Sequence, residues 1–201
     1  MISAVVFDLG GVLIDWNPRY VFDDHYFKSE EDRSFFFEKV CTPAWNENQD
    51  AGHPIEKATK EKIEEFPDWE PSIRDYYGRW KEMLKGPLPD TVSILRRLKN
   101  NNAIRLYALT NWSAETFPVA LERFEFLQWF DGIVVSGDEK TRKPYPGFYR
   151  ILLDRFSLPA RETLFIDDSI RNVLAAKELG INAIQFKSAT DLEERLKEYH
   201  L

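Results

Sequence analysis

Three carboxylates, a hydroxyl and a lysine carry the chemistry this sequence offers, and each stands at the end or the start of a patterned segment. Asp8 closes the apolar run Ala4-Val5-Val6-Phe7 and is followed by Leu9 and the pair Gly10-Gly11, so the acid is expected at a tight, exposed turn. Thr110 follows the run Ile104–Leu109, Asp167-Asp168 follow Thr163–Ile166, and Lys143 precedes Pro144 just ahead of a helical pattern. Oxygen donors without a cysteine group or a usable histidine cluster select a hard cation, and an open set of two or three carboxylates suits Mg²⁺ better than Zn²⁺. Two unit negative charges about 4 Å apart repel by about 4 kcal/mol at an effective dielectric of 20. An aspartate cannot approach a phosphate dianion against that repulsion unaided. Mg²⁺ together with Lys143 would reverse the sign, and Thr110 could hydrogen-bond a phosphoryl oxygen. Such a set supports phosphoryl transfer through an aspartyl-phosphate.

These residues are far apart in sequence, so the fold has to gather them. Ile2 to Phe7 runs almost continuously apolar, the pattern of a strand buried on both faces. From Asp90 onward helical and strand patterns alternate: helix Asp90–Lys99 with Val92, Leu95 and Leu98 on one side, strand Ile104–Leu109, helix Ala114–Arg123, strand Gly132–Val135, helix Pro146–Phe156, strand Thr163–Ile166, helix Ile170–Leu179 closed by Gly180, strand Asn182–Phe186 and helix Asp191–Tyr199. Five strands separated by helices imply an α/β fold, a doubly wound, Rossmann-like parallel five-stranded sheet with right-handed crossovers. Ligands bind such sheets beyond the carboxyl ends of the strands. Asp8, Thr110 and Asp167-Asp168 are all expected on that rim.

Residues 17–86 differ in character. They are rich in aromatic and charged residues, carry Pro18, Pro43, Pro54, Pro67 and Pro71, and show no strand run. Glu30–Val40 and Ile55–Phe66 read as amphipathic helices, with Trp69, Tyr76, Tyr77 and Trp80 as the expected core of an inserted helical unit. Asp15-Trp16-Asn17-Pro18 reads as a turn into it, and Lys85-Gly86-Pro87-Leu88-Pro89 as a hinge out of it. The expected organisation is an α/β core of residues 1–16 and 87–201 with an α-helical cap of residues 17–86.

The 201 residues, 43% hydrophobic and 30% charged, are those of an ordinary globular chain. A net charge of −7 disfavours nucleic acid or an anionic membrane as the main partner. The single cysteine, Cys41, excludes an intrachain disulfide and a cysteine metal cluster and reads as a buried small apolar residue. Asp8 interrupts the one candidate leader, and no apolar run reaches the roughly 20 residues needed to span a bilayer. A cytoplasmic protein is expected, and a small anion could still be bound locally.

In four places the sequence resembles the haloacid dehalogenase-like hydrolase superfamily, in the branch with a helical cap inserted after the first motif. Phe7-Asp8-Leu9-Gly10-Gly11-Val12 is similar to the first motif, Leu109-Thr110-Asn111 to the second, Arg142-Lys143-Pro144 to the third and Phe165-Ile166-Asp167-Asp168-Ser169 to the fourth. The resemblance implies that Asp8 is the nucleophile and a metal ligand, that Gly10 offers its carbonyl to Mg²⁺, and that Asp168 is a direct ligand. Asp167 would bind the metal directly or through water. Thr110 and the Asn111 backbone would hold the phosphoryl group, Lys143 would tie it to Asp8, and Asn172 would orient the metal's surroundings. It points to a phosphatase acting on a small phosphorylated metabolite such as a sugar phosphate.

One position departs from the pattern. Most phosphatases of this kind carry a second aspartate two residues after the nucleophile as general acid and base, and Gly10 stands there. Loss of such a group costs about 10²- to 10⁴-fold in rate. Asp15, His25, His53 or the substrate itself are the sequence's candidates to replace it. The competing readings are a non-catalytic phosphate-binding protein, which the missing acid favours, and a metal-independent dehalogenase, which Gly10 and Asp167-Asp168 disfavour. Against the functional readings, Asp8 could cap a turn, Lys143 could be surface charge, and Asp167-Asp168 could cap a helix.

Overall fold

β1 (Ala4–Phe7) lies at the centre of the molecule because its alternate side chains are apolar toward both faces. In the computed structural model, which describes residues 1–201, seven strands form: β1, β2 (Ile14–Trp16), β3 (Leu84–Pro87), β4 (Arg105–Thr110), β5 (Gly132–Val135), β6 (Thr163–Asp167) and β7 (Asn182–Gln185). Five of them make one parallel sheet in the order β5-β4-β1-β6-β7. The doubly wound α/β fold expected from the alternating pattern is therefore present. The chain moves outward from β1 on one side through β4 and β5, then on the other through β6 and β7. That reversal places the crevice for a ligand beside the carboxyl end of β1.

Val5 and Phe7 join Leu106, Ala108, Leu164 and Ile166 under one face. Ala4 and Val6 join Tyr107, Leu109 and Phe165 under the other, where Phe148, Tyr149 and Val173 cover them. This two-residue alternation is the geometry of a pleated strand. Helices α5 (Pro89–Lys99), α6 (Phe117–Arg123), α7 (Ser136–Glu139), α8 (Pro146–Arg155), α9 (Ile170–Glu178) and α10 (Ala189–Lys197) connect the strands or close the chain. α6 starts three residues later than its apolar pattern suggests, because Pro118 sets the first turn and Ser113–Thr116 folds as a turn ahead of it. On α5 the most deeply buried positions are Leu95, Leu98, Ile94 and Thr91, with Val92 half-buried at the margin.

Between β2 and β3 the chain is helical: α1 (Glu30–Phe35), α2 (Pro43–Asp50), α3 (Ile55–Glu65) and α4 (Glu70–Gly78). α1 runs into a widened turn over Phe36–Val40, with the Cys41 amide donating to the Phe36 carbonyl at 2.7 Å, so Glu30–Val40 is one helical segment of two geometries. Phe22 is the hub of its apolar interior, with ring centres 4.7 Å from Phe36, 4.8 Å from Tyr26 and 5.9 Å from Tyr76. Trp69 and Tyr77 pack at its edge, whereas Trp80 pairs with Trp112 of the core at 5.4 Å. These rings belong to the same contiguous cluster as Val5, Phe7 and Leu13, so insertion and sheet share apolar contact.

The expected turn is present at Asn17-Pro18, which open a 3-10 turn over Pro18–Tyr20, but Asp15-Trp16 before it and Lys85–Pro87 of the expected hinge are strand. The two connections pair with each other as an antiparallel ribbon, Ile14 opposite Pro87, Asp15 opposite Gly86 and Trp16 opposite Leu84, with an irregularity at Asp15-Trp16. Strands this short carry no readable alternation, which is why the ribbon is invisible in sequence. No helix is long and apolar enough to cross a membrane.

Candidate active site

β1 delivers Asp8 to the rim, and β1–β6 pairing carries through it: the Asp8 amide donates to the Ile166 carbonyl at 2.8 Å. The Leu9 amide donates to Asp8 Oδ1 at 2.7 Å. One strand over, β6 ends on Asp167, whose Oδ1 accepts the Ser169 amide at 2.8 Å where α9 begins. That bond braces the turn ahead of α9 without capping the helix, whose N-cap position is Ser169, and Asp168 is exposed beside it.

Lys143 is the charge between them. Its side chain is fully buried, and Nζ lies 2.8 Å from Asp8 Oδ1 and 2.7 Å from Asp167 Oδ2. The reading of Lys143 as surface charge is thereby excluded. Asn111 holds it in place through the backbone: the Lys143 amide donates to Asn111 Oδ1 at 2.8 Å, and Asn111 Nδ2 donates to the Lys143 carbonyl at 3.1 Å. Asn172 is also buried, and its Nδ2 donates to both oxygens of Asp167 at 3.0 and 3.1 Å. The Tyr149 hydroxyl anchors Asn172 in turn, donating to its carbonyl at 2.9 Å.

Carboxylate oxygens of Asp8, Asp167 and Asp168 all lie within 4.8 Å of one another. Three carboxylates against one ammonium leave the centre short of positive charge, and the titration of its members records it. Burial pushes the Asp8 carboxyl up to about 7; Lys143 opposes the shift, and Asp167 adds to it. Burial, and after it Asp167, also hold Asp168 above the usual carboxylate range. Burial alone would pull the Lys143 ammonium down, but Asp167 and Asp8 together hold it above its ordinary value. An all-oxygen donor set with excess negative charge fits a hard divalent cation. Two further features fit a bound phosphoryl group and its metal. Thr110 at the end of β4 is buried with its hydroxyl unpartnered, a state that costs about 1–3 kcal/mol until a ligand accepts the bond. Gly11 has φ +73°, and a Cβ there would sit 2.6 Å from Asp168 Oδ2, so only glycine leaves that carboxylate its place.

A cavity of about 500 Å³ opens over the centre, bounded below by Asp8, Gly10 and Asp168 and above by Asn46, Glu47 and Asp50 of α2. A smaller recess of about 70 Å³ adjoins Gly10, between Trp16, Trp80 and Trp112 and the side chains of Asn46, Asp50 and Asn111. Glu47 ties the roof to the rim by ion pairs with Arg142 at 2.8 Å and Arg171 at 2.7 Å. Of the sequence's substitutes for the missing acid, none borders either space. Asp15 accepts the Tyr20 hydroxyl at 2.9 Å, His25 is exposed, and His53 pairs with Glu61 at 3.0 Å.

Helix α2 itself was missed in sequence, and with it Asn46, Glu47 and Asp50. Its apolar pattern is weak, but a start signal was present: Thr42 accepts the Trp45 amide at 3.1 Å, and Pro43 occupies the first turn.

The fold and this rim of charges define a class, and comparison with known proteins agrees. A family profile described as haloacid dehalogenase-like hydrolase matches residues 2–180, and the chain belongs to that family. It is therefore a hydrolase. A drimenol cyclase of Aspergillus calidoustus is 27% identical over 98% of this chain, which spans only 36% of that protein's length. A sesquiterpene phosphatase of Aspergillus oryzae is 29% identical, over 89% of this chain and 87% of its own. Among solved structures, a HAD family enzyme of Bacteroides thetaiotaomicron, in complex with magnesium and inorganic phosphate, superposes with a TM-score of 0.70 at 21% identity, covering 93% of this chain and 95% of the other.

Proposed function

We propose that the protein is a Mg²⁺-dependent phosphomonoester hydrolase acting on a small phosphorylated metabolite, with Asp8 as nucleophile and residues 17–86 as the cap over its substrate. The observation that carries this reading is the bridge of Lys143 between Asp8 and Asp167 inside a cluster of three carboxylates open to a cavity. A purely structural ion pair would not need the third carboxylate, the exposed approach or the unpartnered Thr110 hydroxyl. The magnesium and phosphate of the Bacteroides structure and the phosphatase activity named for the Aspergillus oryzae relative support it.

Asp8, Asp167, Asp168 and the Gly10 carbonyl are the groups that would hold Mg²⁺, which supplies charge neutralisation for an incoming dianion. Asp8 attacks phosphorus with a carboxylate oxygen, and the bond to the leaving oxygen breaks as the aspartyl-phosphate forms. Thr110 and the Asn111 backbone hold phosphoryl oxygens, and Lys143 lowers the repulsion between them and Asp8. Water then attacks the phosphorus and returns Asp8 to its free form.

A sugar phosphate is favoured by the larger cavity of about 500 Å³ over the centre and by Asn46 and Asp50, polar residues that line it. A second reading, an isoprenyl-type phosphate, is favoured by the three tryptophans around the smaller recess and by the terpenoid relatives. Phosphate release from a panel containing both classes separates them. EDTA and Asp8→Asn should each abolish release; turnover that survives both would refute the mechanism.

A further inference from the structure

Gly10 leaves a gap in the chemistry, and the structure shows that it is also a gap in space. A Cβ built on Gly10 meets nothing within 4 Å, and its backbone is outside the left-handed region. The residue could therefore carry a side chain without strain; instead the volume above it is the small recess shared with Asn111, Trp112 and Asp50.

Asp50 reaches that recess from above, as the last residue of α2. It borders the larger cavity together with Asp8 and Asp168 as well, so Asp50 lines both spaces that open beside the nucleophile. Its orientation is set by a relay: the Tyr77 hydroxyl donates to Asn46 Oδ1 at 3.0 Å, and Asn46 Nδ2 donates to Asp50 Oδ2 at 3.0 Å. The Asp50 carbonyl accepts the Ser136 hydroxyl, which docks this end of α2 on the core. No lysine or arginine makes an ion pair with the Asp50 carboxyl, in contrast to Glu47 one turn earlier.

We propose that Asp50, from the cap, is the general acid and base of the reaction, taking the role left open at Gly10. The proposal rests on the phosphatase reading above. As the phosphorus–oxygen bond to the leaving group breaks, Asp50 gives its proton to the departing oxygen and becomes a carboxylate. In the second half-reaction it takes a proton from the water that attacks the aspartyl-phosphate, so that phosphate leaves and Asp50 is again protonated. The charged and titratable groups around it suit that cycle: burial first and the Glu47 carboxylate second push the Asp50 carboxyl up to about 7, opposed by the Ser113 amide and by Arg142 and Lys143. Tyr76 and Tyr77, also close to it, stay protonated at neutral pH because burial raises both. An acid poised near neutrality is suited to both donating and accepting.

The test is a leaving-group series, alkyl phosphates and substituted phenyl phosphates, with kcat/KM measured in Mg²⁺ for wild type, Asp50→Asn, Gly10→Asp and the double variant. Asp50→Asn should lower kcat/KM by about 10²- to 10⁴-fold for alkyl esters and by less than about 10-fold for p-nitrophenyl phosphate, whose leaving group departs without a proton. Gly10→Asp in the Asp50→Asn background should restore alkyl ester turnover at least about 10-fold, since the new side chain has room. Equal losses across the series would mean a structural role, and unchanged turnover of alkyl esters no role; either overturns the proposal. Asp8→Asn, run alongside, keeps the two levels apart. If it retains wild-type turnover, the phosphatase mechanism fails; if it is dead while Asp50→Asn matches wild type, only the assignment of Asp50 fails.

Discussion

Replacing Lys143 by methionine removes the one positive charge buried within the carboxylate cluster while keeping most of the side-chain volume. At an effective dielectric of 20, contacts of 2.8 Å to Asp8 and 2.7 Å to Asp167 are each worth about 6 kcal/mol before desolvation is charged against them. Desolvation of a lysine buried this fully cancels much of that, and the net loss on removing one partner of a buried pair is about 3–5 kcal/mol. For a chain of this length each kcal/mol moves the melting temperature by about 2–4 °C, so Lys143→Met should melt about 6–20 °C below wild type in EDTA. The loss comes from carboxylates left uncompensated rather than from the lysine itself. Asp8→Asn added to Lys143→Met should therefore regain about 1–3 kcal/mol, a coupling that a double-mutant cycle by urea unfolding reads directly. A Lys143→Met melt within about 2 °C of wild type, or an additive double variant, would refute this account of how the cluster is held.

Gly11→Ala should keep the fold but lose more than about 10-fold in turnover and in Mg²⁺ affinity, because a left-handed alanine costs about 1–2 kcal/mol and its Cβ would displace Asp168; titration of Mg²⁺ followed by calorimetry checks it. Asn172→Ala removes the amide that donates to both oxygens of Asp167, and should cost about 1.5–3 kcal/mol in urea unfolding; a loss under about 0.5 kcal/mol would show that Asp167 does not need it. Asp50 gives a pH-dependent sign. Its folded carboxyl is raised from 3.8 to about 7, so the folded state binds a proton that the unfolded chain has released, and stability falls as pH rises through that window. The shift corresponds to at most about 4 kcal/mol, so Asp50→Asn should be more stable than wild type at pH 8.5 and gain little at pH 4; equal differences at both pH values would contradict it.

Much of the site was legible because its residues mark the ends of buried strands. A run such as Ala4–Phe7 must lie within a sheet, so Asp8 just after it, like Thr110 and Asp167 at the last positions of their strands, reaches the rim; the exposure expected of Asp8 is not found, because all three are buried there among the other charges of the site. Parallel topology did the rest, since all carboxyl ends lie on one rim. What escaped was set by contacts between segments without periodicity. The ribbon Ile14–Trp16 with Leu84–Pro87 is too short to show alternation, and Trp80 reads like its aromatic neighbours although it packs on Trp112. Asp50 escaped for a different reason: a polar residue near the end of a weakly amphipathic helix looks solvated until the fold shows what it faces.

That distinction bears on how the site works. The charges that would bind phosphate and metal all come from the core, on strands and turns held by backbone pairing and by Lys143, so they are present whether or not the insertion moves. Asp50 and Glu47 come from α2, which rests on the core through the Ser136 hydroxyl, Arg142 and Arg171. Of these contacts only the Arg171–Glu47 pair has a half-exposed partner, and exposed ion pairs contribute about 0–1 kcal/mol each; the Ser136 hydroxyl and the Arg142 guanidinium meet α2 in largely buried surroundings. If Asp50 is the proton donor, a variant that displaces α2 should leave a centre able to bind phosphate but slow to cleave an alkyl ester, whereas an aspartate at position 10 would act wherever α2 sits. Under the proposed role of Asp50, leaving-group protonation would depend on α2 resting over the centre, which an acid at position 10 would not require.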